Sequence, residues 1–415
     1  MTDPDTLDWT GRRFELEIGA VAHGGHCVGR FDGRVVFVRH ALPGERVLVE
    51  VTEDRGGSFC RADAVEVFQA SPDRVEPACP VARPGECGGC DWQHASWPAQ
   101  RALKATVVAE QLRRLAGVEV DVLVEELPGG PLGWRTRTRL AVDGQGHAGF
   151  RAHRSHRVVP IADCPIALPG ALDDVLAAQW PPGAELEVTR DGGGEVHVSE
   201  LPQVRPTRRR GARVPVKPKP HRVSGGGTAV EHAAGRDWRL AAHGFWQVHP
   251  ASADTLASVV ADWAKASPGA DAWDLYGGVG LFASVLAEQV GVTGSVLVVE
   301  SSRRAVQDGS ADLADLPQLS WRAGRVEDVL GSPELAEQRP EVVVLDPPRK
   351  GAGRAVVDAI AARGPARVVY VACDPAALAR DVAGFAGHGY RLAALRAFDA
   401  FPMTHHVECV ALLTS

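Results

Sequence analysis

The 415-residue chain predicts an α/β protein in three parts, and three observations carry that prediction. From about residue 250, apolar runs of strand length alternate with helix-length stretches, the pattern of a Rossmann-like, doubly wound and mostly parallel sheet. Residues 14–67 instead break into short alternating strands punctuated by Gly and Pro, which predicts a small β-barrel. Between them, residues 72–98 concentrate Pro, Gly and Cys, and a helix and several short strands follow, as in an α+β domain. The expected divisions are a tail at 1–10, a barrel at 11–68, a central domain at 69–245 and the doubly wound domain at 246–415.

Each element has a local reason. Phe14-Glu-Leu-Glu-Ile18 and Arg46-Val-Leu-Val-Glu-Val-Thr52 alternate apolar and polar residues, as half-buried strands do. Gly24-Gly25 and Leu42-Pro-Gly-Glu45 are turns. Residues 99–116 place Val107, Leu112 and Leu115 on one helical face. Residues 251–266 read as a helix; Ala272–Tyr276, Ser295–Glu300, Val342–Leu345 and Arg367–Val371 read as buried strands.

With 45% hydrophobic and 23% charged residues the chain has material for a packed core, which excludes a disordered tail or coat. No apolar run is long enough to span a bilayer. The acidic, polar segment Met1–Asp8 argues against a secretory leader, so a cytoplasmic protein is expected. The net charge of −7 opposes indiscriminate nucleic-acid binding, but two basic tracts stand out. One runs from Arg205 to Arg213 and on to Lys217, Lys219 and Arg222. The other comprises Arg135, Arg137, Arg139, Arg151, Arg154 and Arg157. Both are candidate phosphate contacts.

Four motifs carry chemistry. Asp274-Leu-Tyr-Gly-Gly-Val-Gly-Leu-Phe282 puts Gly278 and Gly280 on the turn after a strand, where a ligand can approach the backbone at a helix N-terminus. Glu300 ends the next strand, a place from which a carboxylate accepts ribose hydroxyls. The third Gly of a dinucleotide fingerprint is missing, which favours S-adenosylmethionine over a pyrophosphate cofactor. Asp346-Pro-Pro-Arg-Lys-Gly351 follows the third strand and aims an acid at the same edge. Tyr370-Val-Ala-Cys-Asp-Pro375 sets the thiol of Cys373 on a strand-to-helix turn, and Phe398–Glu408 brings a carboxylate on an expected edge strand. Cys79, Cys87, Cys90 and Cys164 suit either Zn(Cys)4 or a [4Fe–4S] cluster by spacing, while Cys27, Cys60 and Cys409 read as packing residues.

Together these residues resemble the 5-methyluridine RNA methyltransferase family, the tRNA uracil-54 and 23S ribosomal RNA uracil-5 enzymes. The resemblance spans nearly the whole chain. It includes Val36-Phe-Val-Arg-His-Ala-Leu-Pro-Gly-Glu45, Ser71-Pro-Asp-Arg-Val75, Cys87-Gly-Gly-Cys-Asp-Trp-Gln-His94 and Phe245-Trp-Gln-Val248. It implies an OB-like TRAM barrel for RNA, Cys373 as nucleophile and Glu408 as base. It implies S-adenosylmethionine contacts at Gln247, Tyr276, Glu300, Asp328 and Asp346. It also implies a [4Fe–4S] cluster on the four clustered cysteines, zinc being the alternative. Barrel and cluster together are like the ribosomal RNA branch, which implies a monomer acting on RNA, ribosomal ahead of transfer. Two departures stand out: Leu281 replaces a frequent Asn, and Asp374 beside Cys373 is expected to raise the thiol pKa by repulsion. An RNA cytosine-5 methyltransferase and a non-catalytic RNA-binding iron–sulfur protein remain the competing readings.

Overall fold

A computed structural model describes residues 8–201 and 220–415. The N-terminal strands Arg13–Glu17, Val21–Ala22, His26–Phe31, Arg34–Arg39, Arg46–Asp54 and Phe59–Gln69 form one six-stranded sheet. It coils strongly. The first and third strands are not neighbours in the pairing order, yet a Cβ added at Gly29 would lie 2.5 Å from Leu16 Cδ2. That close approach is why glycine stands there. Phe14 and Leu16 point inward, and buried Glu45 takes the Arg74 guanidinium at 2.6 Å, tying the sheet to the segment that follows.

The centre of the chain holds an antiparallel sheet in the order Val158–Pro160, Ala148–Arg151, Arg137–Val142, Glu185–Arg190, Val196–Leu201, His221–Ser224. The C-terminal sheet has eight strands. They are β1 (Val124–Glu126), β2 (Asp271–Leu275), β3 (Ser295–Glu300), β4 (Leu319–Ala323), β5 (Val342–Leu345), β6 (Arg367–Ala372), β7 (Arg391–Asp399) and β8 (Glu408–Thr414). Their order is β4-β3-β2-β5-β6-β8-β7-β1. β4, β3, β2, β5 and β6 run parallel, and β8 inserts antiparallel between β6 and β7. The parallel strands are apolar on both faces because helices cover both: the cores around Val298 and Val344 and around Val299 and Val343 lie on opposite sides. The helices are α1 (Trp97–Gln111), α2 (Ser252–Ala264), α3 (Leu281–Val290), α4 (Arg303–Asp312), α5 (Val326–Leu330), α6 (Arg354–Ala361) and α7 (Pro375–Ala386).

Two features differ from the sequence expectation. β1, from the segment expected to be central, pairs parallel with β7 and extends the C-terminal sheet. The hairpin Thr228–Ala233/Arg236–Ala241 also packs Trp238 and Leu240 into that sheet's core. The doubly wound unit therefore recruits residues from before 246, because short strands carry too little periodicity to declare their partner.

α1 is fastened to the C-terminal sheet by a buried charge pair. Lys104 Nζ lies 2.5 Å from Asp399 Oδ1 and donates to the Phe401 carbonyl at 3.0 Å, while Trp97 Nε1 donates to Asp399 Oδ2 at 2.8 Å. Both charged side chains are fully buried. Burial pulls the Lys104 pKa down and Asp399 pulls it back up. Lys104→Met is expected to destabilise the protein by about 3–5 kcal/mol, because Asp399 is left as an uncompensated buried charge. Urea unfolding of the two proteins measures it; an unchanged midpoint would remove the pair from the account of stability.

Candidate active site at the carboxyl edge of the sheet

The carboxyl ends of β2, β3, β5 and β6 open onto one cavity of about 1200 Å3, where open α/β sheets bind their ligands. The turn from β2 to α3 is its floor. Tyr276 adopts φ 61°, a left-handed conformation that a non-glycine residue holds only under constraint. Buried Asp274 supplies part of the constraint by accepting the Ala283 N–H at 2.9 Å. Burial pushes its carboxyl up to about 8, with Asp346 and Glu300 adding repulsion. Glu300 accepts the Gly278 N–H at 3.1 Å and the Ser302 N–H at 2.6 Å, so it is fixed at the rim of the turn.

The reactive groups come from strand register. β6 and β8 pair with Ala372 opposite Cys409. Cys373 follows Ala372 and Glu408 precedes Cys409, and both line the cavity. Asp346 follows β5, the neighbour of β6, and its N–H donates to the Leu275 carbonyl at 3.2 Å. Glu408 is 4% exposed. Burial pushes its carboxyl well above the usual carboxylate range, Asp346 adds to this, and Arg349 opposes it. Burial raises Asp346 as well. The Cys373 thiol is pushed up to about 12 by burial first, then by Glu408 and Asp346; Arg349 pulls it down, and Asp374 contributes the smallest upward push. Asp374 acts mainly as the cap of α7, accepting the Ala377 N–H at 2.8 Å, and it meets His23 Nε2 at 3.1 Å.

Gln247, Tyr276, Gly278, Glu300, Asp346, Cys373 and Glu408 all line this cavity, as does Leu281. Three expectations need correction. Gly280 is not among the cavity-lining residues: at φ 92° an added Cβ would meet Trp321 at 2.8 Å, so packing requires glycine there. Asp328 is exposed on α5, and its neighbour Glu327 lines the cavity instead, because one residue along a helix rotates a side chain by about 100°. Glu408 sits on an interior strand, not an edge. Arg349 and His406, 3.2 Å apart, also line the cavity. Both belong to motifs visible in the sequence, yet nothing there showed that they meet. Phe245, 74% exposed, stands at the mouth.

Cys79, Cys87, Cys90 and Cys164 line a second, smaller hollow. Gly89 N–H donates to Cys87 Sγ at 3.4 Å and Gln93 Nε2 to Cys90 Sγ at 3.3 Å, the kind of donors that favour thiolates. The remaining cysteines, Cys27, Cys60 and Cys409, are buried in packed cores. The expected basic stripe does not form one patch. Arg137 is buried against Glu231 at 2.8 Å and donates to the Ala242 and Gly244 carbonyls. Arg151 pairs with Glu185 and Arg154 with Glu53, while Arg157 reaches the Gly85 carbonyl. Of the other tract, Arg222 is described and exposed; Arg205–Lys219 lies outside the described residues. Among the described residues no helix is long and apolar enough to cross a membrane.

Residues 9–65 match the TRAM domain family, and residues 325–415 match the tRNA (Uracil-5-)-methyltransferase family. An uncharacterized RNA methyltransferase of Streptomyces avermitilis is 48% identical, over 97% of this chain and 98% of its own. One from Bifidobacterium longum is 40% identical, over 96% of each chain. The solved structure of the Pyrococcus abyssi tRNA (uracil-54, C5)-methyltransferase in complex with S-adenosyl-L-homocysteine has the same fold. Its TM-score is 0.69 at 23% identity, covering 96% of this chain and 99% of that one. The chain therefore belongs to the RNA methyltransferase family, and its C-terminal part matches the tRNA (Uracil-5-)-methyltransferase family.

Proposed function

We propose that this enzyme methylates C5 of a uridine in ribosomal RNA, 23S RNA foremost, through a covalent bond between Cys373 and C6 of the base. The observation that carries the reading is that Cys373, Glu408, Asp346 and Arg349 line one cavity, at the end where β6 and β8 pair Ala372 with Cys409. Uracil C5 is a weak nucleophile. Addition of the Cys373 sulfur to C6 moves the ring electrons to C5, which then takes the methyl group. Gln247, Tyr276, Gly278 and Glu300 would hold S-adenosylmethionine, whose sulfonium would supply that methyl group and leave as the thioether. Glu408 removes the remaining C5 proton, the C6–S bond breaks, and the thiolate leaves as the C5–C6 double bond re-forms. A carboxyl raised by burial is a stronger base, which suits this proton. Arg349 is the cation that favours the Cys373 thiolate.

The cavity exceeds the roughly 300–1,000 Å3 of a small-molecule site, leaving room for a flipped base beside the donor. A base splays out most readily from a loop or bulge. The N-terminal sheet, with exposed Phe59 on it, supplies a surface for the strand.

The four clustered cysteines, an all-thiolate set with N–H donors on two of the sulfurs, would hold a [4Fe–4S] cluster, with zinc as the alternative. The cluster would hold the Cys79–Cys90 segment to the loop of Cys164, since the methyl transfer has no redox step. Equimolar zinc without acid-labile sulfide in the purified protein would overturn this assignment.

A transfer-RNA uridine is the second reading, supported by the Pyrococcus abyssi likeness over nearly the whole chain. Mass-spectrometric mapping of ribosomal and transfer RNA from a deletion strain separates them. Loss of 5-methyluridine from 23S RNA is expected. Loss from transfer RNA alone would replace the ribosomal assignment, and loss from neither would overturn both.

A further inference from the structure

The cysteine hollow and the catalytic cavity share a wall. Gly89 and Arg135 line both. The residues that follow Cys90 then reach across to the turn that precedes Glu408. The Asp91 and Trp92 N–H groups both donate to the Met403 carbonyl at 3.0 Å. Asp91 Oδ2 accepts the His405 N–H at 3.1 Å and meets His405 Nδ1 at 2.6 Å. Met403 packs in the same buried cluster as Cys164, with Cys90 against it.

That turn needs holding. Met403 has φ 68°, a left-handed conformation that costs a side-chain-bearing residue free energy. Its opposite side is gripped by Gln100, which accepts the Met403 N–H at 2.8 Å. Gly25, from the N-terminal sheet, leaves the space: a Cβ there would lie 2.9 Å from His405 and 3.2 Å from Asp91. From the braced turn Phe401, Thr404 and His406 reach the catalytic cavity, and His406 meets Arg349, the cation that faces Cys373 and Glu408.

We propose that the Cys87–Trp92 loop is a brace for the catalytic turn, and that metal or cluster bound by the four cysteines is what keeps the brace in shape. Asp91 is then a positioning residue, acting on the uridine side of the cavity through His405 and Met403. The donor side, at Gln247, Tyr276 and Glu300, stands on other elements and does not depend on it. The second half of this inference rests on the four cysteines being a metal site; the first half does not.

The test is amide hydrogen exchange at residues 401–408, read with S-adenosylmethionine affinity and RNA kinetics on the full-length protein. Stripping the metal by oxidation and chelation is expected to speed exchange there on the order of tenfold or more, with donor affinity retained. Asp91→Ala is expected to do the same with metal content unchanged, raising KM for RNA and lowering kcat. Asp91→Asn keeps one oxygen for the His405 N–H and should fall between. Purified protein without metal on the four cysteines would overturn the dependence on metal while Asp91→Ala still reads the brace. Metal present, but exchange at 401–408 indifferent to its removal, would overturn the dependence alone. Unchanged exchange and RNA kinetics in Asp91→Ala would overturn the brace.

Discussion

Cys373→Ala should abolish uridine methylation, a loss of roughly 10^4-fold or more, since no covalent route to a nucleophilic C5 survives. The variant should fold, because the thiol is only half-buried at the start of α7 and its removal leaves a small void. S-adenosylmethionine binding, measured calorimetrically, should persist, since Gln247, Tyr276, Gly278 and Glu300 approach the cavity from other elements. Full turnover by Cys373→Ala would remove the nucleophile from the mechanism. Loss of donor binding along with turnover would say that the variant had damaged the site more widely.

Glu408→Gln separates the steps. Thiol addition and methyl transfer should proceed, but proton removal from C5 should slow by about 10^2–10^4-fold, the range of a lost general base. The intermediate should then accumulate as a methylated protein–RNA adduct that survives denaturing electrophoresis. Combining Glu408→Gln with Cys373→Ala should erase the adduct. Normal turnover by Glu408→Gln, with no adduct, would transfer the base role elsewhere, with Asp346 as the adjacent carboxyl to examine. The substitution also removes one of two neighbouring buried acids, so the fold should tolerate it: burial disfavours the Glu408 charge, and a neutral isostere carries no such penalty.

The sequence exposed the parts of the site more clearly than their arrangement. The parallel strands were legible because each is a short apolar run bounded by turn residues, and Ser295–Glu300 and Val342–Leu345 fall where expected. Gly278 was legible because a tight strand-to-helix turn demands a residue that tolerates positive φ, whereas Tyr276 was named only through the family resemblance. Asp328 misled because a five-residue helix gives too little pattern to say which of two adjacent acids faces inward. The Arg135–Arg157 tract was legible as charge but not as pairing, because Glu231, Glu185 and Glu53 are distant in the chain.

By itself the sequence determined the classes of residue available: a thiol at a strand end, an acid after Pro-flanked strand β5, a glycine turn, four clustered cysteines. These are local facts, set by chain geometry over a few residues. Only the tertiary structure decided that Glu408, 35 positions beyond Cys373 by their numbering, comes back to the same cavity. That depends on β8 entering antiparallel between β6 and β7, a long-range pairing fixed by hydrogen-bond register and by burial of both faces. The same holds for Asp91 and His405, which belong to opposite ends of the chain and meet because Met403 packs against the cysteine core. Register and packing are properties of the folded sheet, and no local pattern encodes them.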